Sequence, residues 1–442
     1  MNCFEPGRVV VGPGPEWSPD GEQQLREELG ADFEILHDVS DVLRANDVPI
    51  GEEFYRHKGR LPFVARVPEG SEEEIAGRLR LNQFSRGRID GAVPDYLVRP
   101  NASIDLNTKN ISEAIASARA DVASSECGRS CTVGIIDSGL DFDLMTDHRG
   151  SIHRQLNAKD PLNPDTRDGD RTGHGTLVAS IVNKIAPSAR IIPVKAFDTD
   201  GTLSDVLAGL YLAHTAGPCD VINLSLSMSC DPDHCEVCSS PLDAAMNIKQ
   251  LKFFFDRFVD FAGDVVLIAA AGNNRSRIAS PAAFEKMIAV GSYHFRNLSP
   301  SSQYKAVPSD RFILGPDGAK VVGEELASRP GLRRDDLMFG TSFATAFVSG
   351  VAARVICGLK GGPCPHGSYA RRIQRSTHSV RQMVLDELAA NADCSWPGYD
   401  PTQHGLGRLR LTGDTDRSRP SEASARKRMQ RRRAINDPNQ GL

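Results

Sequence analysis

Four polar residues stand where short apolar runs stop or start, and their types are those that acyl-transfer chemistry needs. Asp137 closes TVGIID, His174 lies between glycines in RTGHGTLVASIV, Asn273 ends VVLIAAAGN, and Ser342 opens the apolar part of FGTSFATAFVSGVAARVI. A serine hydroxyl is a poor nucleophile until a neutral imidazole takes its proton. A carboxylate on the other ring nitrogen fixes the tautomer and stabilises the imidazolium that forms. An amide side chain and a backbone N–H at a helix start supply donors for a tetrahedral oxyanion, aided by the helix dipole. Each residue also has a plainer role. Strand-end Asp and Asn form turns, and Ser or Thr caps helices. The conjunction, not any one of the four, argues for chemistry.

Positioning them is the work of the surrounding elements. From Cys131 onward, β-branched apolar runs (TVGIID, RIIPVKAF, DVINLSLS, DVVLIAAAGN, MIAVGSY) alternate with glycine-rich turns and helical patterns. Continuous apolar runs are the mark of strands buried on both faces. Their alternation with helices predicts an α/β fold with a doubly wound, mainly parallel sheet, whose ligands bind at strand ends. Upstream, residues 8–100 read β-α-β-β-α-β: RVVVG, GEQQLREELG, DFEIL, PFVARV, SEEEIAGRLRL and AVPDYLVRP. That is the order of a small α+β, ferredoxin-like domain, with a Ser71–Glu74 capping box expected at its second helix and an irregular stretch from Val39 to Arg60. A polar stretch, Asn101 to Lys109, leads to the helical pattern ISEAIASARADVA. The boundaries expected are 1–105 for the small domain, 106–412 for the α/β domain and 413–442 for a disordered tail.

The tail concentrates charge. Between Arg417 and Arg433 stand eight basic residues and one glutamate, in a chain whose net charge is -5. Such a run reads as a solvated tail in preference to a nucleic-acid site. No apolar run approaches the roughly 18 residues of a membrane span, and the first residues lack a secretory signal pattern, so a cytoplasmic location is expected. The ten cysteines keep an extracytoplasmic one open. Cys219, Cys230, His234, Cys235 and Cys238 form a cluster in which disulfides or thiols fit better than zinc, because a second, separated ligand pair is missing. No metal site and no cofactor are expected.

The segments IIDSGLD, GHGTLVAS, NLSLS, AAAGNN and GTSFATAFVSG, in this order, resemble the subtilisin-like serine proteases, the subtilases of peptidase family S8. The resemblance runs from about Val133 to Leu411, where GLGRLRL looks like the family's closing turn. It implies a subtilisin-like fold and endopeptidase activity on extended polypeptide. Asp137 becomes the orienter, His174 the general base and then acid, Ser342 the nucleophile and Asn273 the oxyanion donor. Thr341 supports the turn. Ser225, Leu226 and Ser227, with Ala270, Ala271 and Gly272, become the two strands that pair with substrate backbone. The small N-terminal domain resembles a propeptide, an intramolecular inhibitor whose stretch near Pro100 to Asn110 lies in the cleft and is cut autocatalytically. Departures from the family pattern are Ser227 for Gly, Phe343 for Met and Ala346 for Pro, and the segment after GHGTLVAS is too short for a familiar calcium loop. Without the Met, peroxide is not expected to inactivate beside Ser342. Two rivals are a catalytically silent fold used for binding and a lipase-type hydrolase; the latter lacks its G-x-S-x-G elbow.

Overall fold

Valines 9, 10 and 11 point to opposite faces of one strand, and that alternation decides how the N-terminal residues pack. The computed structural model describes residues 3–18, 20–30, 32–50, 61–81, 88–100, 126–145, 151–159, 169–228, 241–272, 278–296, 305–308, 321–324, 341–362, 379–390, 392–393 and 408–409. Strands β1 (Phe4–Pro13), β2 (Glu34–Asp38), β3 (Phe63–Arg66) and β4 (Ile89–Pro100) form an antiparallel sheet in the order β4-β1-β3-β2. On one face Val9, Val11, Phe63 and Ala65 pack with Leu25 of helix α1 (Gly21–Leu29). Ile75 and Leu79 of a later helix, Glu72–Arg80, join the same cluster. On the other face Val10, Val93 and Tyr96 join a core shared with the rest of the chain.

Two local readings change. The stretch from Val39, read as irregular, opens with helix α2 (Val39–Ala45), whose Asp38 cap and Asp41 exchange capping-box hydrogen bonds. Val39, Val42 and Leu43, at i, i+3 and i+4, are its buried stripe. Conversely, the Ser71–Glu74 box does not form at α3 (Glu72–Arg80). The Ser71 hydroxyl donates to the Pro68 carbonyl (2.5 Å), and buried Glu72 turns inward to accept the Gly7 N–H (2.6 Å). The Ser71 hydroxyl that would have capped the helix is instead spent on the turn before it.

The second sheet is built from β5 (Thr132–Asp137), β6 (Leu156–Asn157), β7 (Arg190–Lys195), β9 (Val221–Leu224), β11 (Val266–Ala270), β12 (Met287–Arg296), β14 (Val321–Glu324) and β16 (Arg408–Leu409). Their order is β16-β14-β12-β11-β9-β5-β7-β6, and every neighbouring pair in it is parallel. Two antiparallel additions are β13 (Lys305–Pro308) and β15 (Ala392–Asp393). Alternation again assigns the layers. Val133, Ile135, Val221, Val266, Ile268 and Ile288 face a core containing α4 (His174–Ile185) and α7 (Thr341–Leu359). Ile136, Ile222, Leu224, Leu267 and Met287 face the core containing α5 (Leu203–Ala216) and α6 (Pro241–Ala262). Helices on both faces make the sheet doubly wound. A last helix, α8 (Val380–Ala390), contributes Val384 and Leu388 to the first of these cores.

Helix α7 is long and apolar enough to cross a membrane by length and composition, which corrects the expectation that no apolar run approaches that length. It is almost wholly buried within the fold, as an all-round apolar core helix must be. Among the described cysteines, Cys3 is disulfide-bonded, whereas Cys131, Cys219 and Cys357 are buried thiols. Burial pushes the Cys131 and Cys219 thiols up, away from the thiolate form. Cys230, His234, Cys235 and Cys238, like the basic tail, lie outside the described residues.

The small sheet docks through a shared helix cap. Thr202 and Asp205 form a capping box at the start of α5, and Asp95 of β4 accepts from the next donors, Ser204 N (2.9 Å) and Ser204 Oγ (2.7 Å). Arg8 pairs with Asp95 at 3.4 Å and contacts His37 at the same distance. Burial, followed by the charge of Asp95, pushes the Asp205 carboxyl up to about 7, against the pull of its Thr202 hydrogen bonds. The folded state therefore holds a proton that the unfolded chain, near 3.8, has already released. This contribution to stability is complete below the unfolded value and lost as pH rises to about 7. Asp205→Asn is expected to flatten the corresponding part of the stability profile between pH 4 and 7, read as urea midpoints or as hydrogen exchange of the β4 amides. An unchanged profile would refute the assignment.

Candidate active site

The parallel sheet changes winding direction at β5. The chain passes from β5 to β7 on one side and then crosses to β9 on the other, and the crevice beyond those strand ends is where such sheets place ligands. Asp137 is the last residue of β5, His174 the first of α4, and Ser342 the second of α7. All three are buried. Asp137 Oδ1 lies 2.6 Å from His174 Nδ1 and also accepts the Ser138 N–H (2.7 Å). The imidazole is thus held by the nitrogen facing the carboxylate, while His174 Nε2, equally buried, has no hydrogen-bond partner among the described residues.

The loop before His174 explains how the pair is aimed. Gly173 caps α4 at φ +73°, a conformation that costs glycine little. Gly175 packs so closely on the Gly139 carbonyl that a Cβ would sit 2.3 Å from its oxygen. Asp170, which the sequence reading missed, organises the rest. Its Oδ1 accepts from Ser138 Oγ (2.8 Å) and Gly173 N (2.8 Å), and its Oδ2 from Thr176 N (2.8 Å) and Thr176 Oγ1 (2.7 Å). One carboxylate therefore ties the turn after β5 to the first turn of α4. The signal was present as an acid four residues before the helix start, where a negative charge meets unpaired N–H groups. Fully buried Lys195, paired with Asp198 at 2.6 Å, anchors the preceding residue by donating to the Gly169 carbonyl (3.0 Å). Asp170→Ala is expected to cost about 2 kcal/mol through lost capping and to lower turnover, measured by urea unfolding and by steady-state rates; unchanged stability would exclude this role.

Ser342 is placed differently from the sequence picture. Its Oγ donates to the Ser225 carbonyl (2.9 Å) rather than to His174. Ser225 Oγ lies 2.9 Å from both the Ser342 carbonyl and Asn223 Oδ1, so the two serines are joined in both directions. The imidazole instead packs on Phe343, ring centroids 5.7 Å apart, which sets it beside the nucleophile candidate's immediate neighbour. The Thr341 hydroxyl accepts the Gly272 N–H (3.2 Å) and so joins the start of α7 to the end of β11. Ala270, Ala271 and Gly272 are buried; the Ala271 N–H donates to Val290 and its carbonyl accepts from Ala279. Asn273 lies outside the described residues.

Ser225 precedes β10 (Leu226–Met228), which pairs with β4 of the small sheet rather than with the large one. The antiparallel register sets Leu226 opposite Pro100, Ser227 opposite Arg99 and Met228 opposite Val98. On its other side β4 pairs with β8 (Gly201–Thr202). The tail of β4 thus fills a groove whose floor leads to Ser225 and Ser342.

Residues 128–388 match the model of the subtilase family, peptidase S8, and the chain belongs to that family. It is 30% identical over 234 residues to the thermophilic serine proteinase of Bacillus sp. (strain AK1), covering 50% of this chain and 51% of the relative. It is 28% identical over 257 residues to the subtilisin-like protease PopC of Myxococcus xanthus, covering 52% of each. The chain therefore spans about half the length of these curated relatives. Among solved structures, the epidermin leader peptide processing serine protease EpiP from Staphylococcus aureus aligns over 92% of this chain and 96% of its own, with a TM-score of 0.53. At 13% identity that similarity speaks for the fold alone.

Proposed function

We propose that this protein is a serine endopeptidase that hydrolyses extended polypeptide through Asp137, His174 and Ser342. The observation that carries the reading is the buried 2.6 Å Asp137–His174 pair, whose Nε2 has no partner among the described residues and whose ring packs on Phe343, the residue after Ser342, in a subtilase chain. In the reactive arrangement Ser342 Oγ turns from the Ser225 carbonyl towards His174 Nε2. That rotation also frees the Ser225 carbonyl to accept an N–H from substrate. Oγ then attacks the scissile carbonyl carbon as Nε2 takes its proton, and Nε2 returns the proton to the leaving amine as the C–N bond breaks. Water repeats the sequence on the acyl-enzyme, with the proton passing through the same nitrogen. Asn273 and the N–H groups at the start of α7 are assigned to the oxyanion. Ser225–Leu226–Ser227 and Ala270–Ala271–Gly272 are assigned to the substrate backbone.

The N-terminal unit is read as a ferredoxin-like, propeptide-like inhibitor. Its sheet order and the seating of the β4 tail against β10 support this. A fluorophosphonate probe tests the activity. Labelling that maps to Ser342 and vanishes in Ser342→Ala is expected, together with loss of the intact N-terminus in active preparations. No labelling of folded protein would sink the catalytic reading, and full activity with an intact N-terminus would sink the inhibitor role.

A further inference from the structure

The tail of β4 shows which side chains the groove accepts. Val98 faces Gly201 on one wall and Met228 on the other, and its side chain is 1% exposed within the apolar cluster that also contains Leu203, Leu226 and Met228. Successive side chains of an extended segment point to opposite faces. Arg99 accordingly emerges at the rim, half exposed, and its guanidinium Nε donates to Asp200. Asp200 sits on the short turn between Phe197 and Gly201, which form a bridge to each other, so the carboxylate is held at a fixed height above the groove. The other acid of that turn, Asp198, is occupied by Lys195 (2.6 Å) and Lys159 (3.3 Å). Among the described residues, Asp200 has no cation from outside the N-terminal unit; its positive partner comes from the strand in the groove.

We propose that Asp200 makes this groove select a basic side chain at the position of Arg99, immediately after an apolar one at the position of Val98. A segment in this register reaches the Ser225 carbonyl, and with it Ser342, one residue past the position of Pro100. The substrate class is thus extended polypeptide carrying an apolar–basic pair shortly before the bond that is cut. The proposal rests on the peptidase reading above and adds to it the chemistry of the preferred segment.

The test uses the full chain and quenched peptides with the sequence of residues 96–102, position 99 being Arg, Ala or Glu. A half-exposed ion pair gives a modest preference, so kcat/KM is expected to fall by about two- to five-fold from Arg to Ala and again from Ala to Glu. The order should flatten in about 1 M salt, where the screening length shrinks to about 3 Å. In Asp200→Lys it should invert, with the Glu peptide cut fastest. Equal rates for the three peptides, an order that survives Asp200→Lys, or cleavage of denatured casein with none of the peptides would each overturn the inference while leaving the peptidase reading intact. If neither casein nor any peptide is cut and the fluorophosphonate leaves Ser342 unlabelled, the activity itself fails and the inference falls with it.

Discussion

Ser342→Ala is expected to lower peptide cleavage by about 10⁴-fold or more, because removing the nucleophile leaves only binding and oxyanion donors to act on the substrate. The fold should survive. The hydroxyl lost is buried and its one acceptor is the Ser225 carbonyl, so the stability cost is that of a single unsatisfied buried acceptor, about 1–3 kcal/mol. The neighbouring contacts do not depend on it: Phe343 still packs on the imidazole, and Thr341 still receives the Gly272 N–H. Turnover and urea unfolding measured on the same preparation separate the two effects. A variant that retains more than about one part in a hundred of the rate would place the nucleophile elsewhere.

Gly175→Ala sets two effects against each other, and the structure says which wins. In an isolated helix alanine improves on glycine by about 1 kcal/mol. Here the new Cβ would lie 2.3 Å from the Gly139 carbonyl oxygen and 3.2 Å from the Asp137 side chain. Neither neighbour can swing aside, the first being backbone and the second the partner of His174. Retreat of α4 is opposed by its other contacts, since Leu177, Val178 and Ile181 are buried in the core that also contains α7. The clash must therefore be relieved by moving His174 away from Asp137. A displacement near 1 Å is expected to cost about 10² in kcat/KM, and the strain about 1–3 kcal/mol of stability. Rates at or above wild type would show that the contact relaxes without disturbing the pair.

Chemistry was written locally, and geometry was not. The candidate residues Asp137, His174 and Ser342, and the apolar strands that end beside the first, could be read from the chain, because buried parallel strands need continuous apolar runs and ligands bind beyond their ends. So could the division of β-branched residues between two cores, which follows from strand alternation. Asp170 was not found, since its role is a set of hydrogen bonds that ties the turn after β5 to the start of α4, which no pattern of apolar residues encodes. The capping box at Ser71 does not form because its hydroxyl donates to the Pro68 carbonyl in the preceding turn, a choice the Ser-x-x-Glu spacing does not encode.

Left to itself, the sequence determined the family, the candidate residues proposed above for the reaction, and the layers into which the strands sort, since each depends on short-range spacing and on burial. Tertiary structure alone decided that Ser342 rests on the Ser225 carbonyl, that Asp95 caps a helix of the other sheet, and that Arg99 meets Asp200 across the groove. Those pairings join residues about 100 or more positions apart: the first forms when α7 packs on the large sheet, the other two only when the two sheets close on one another.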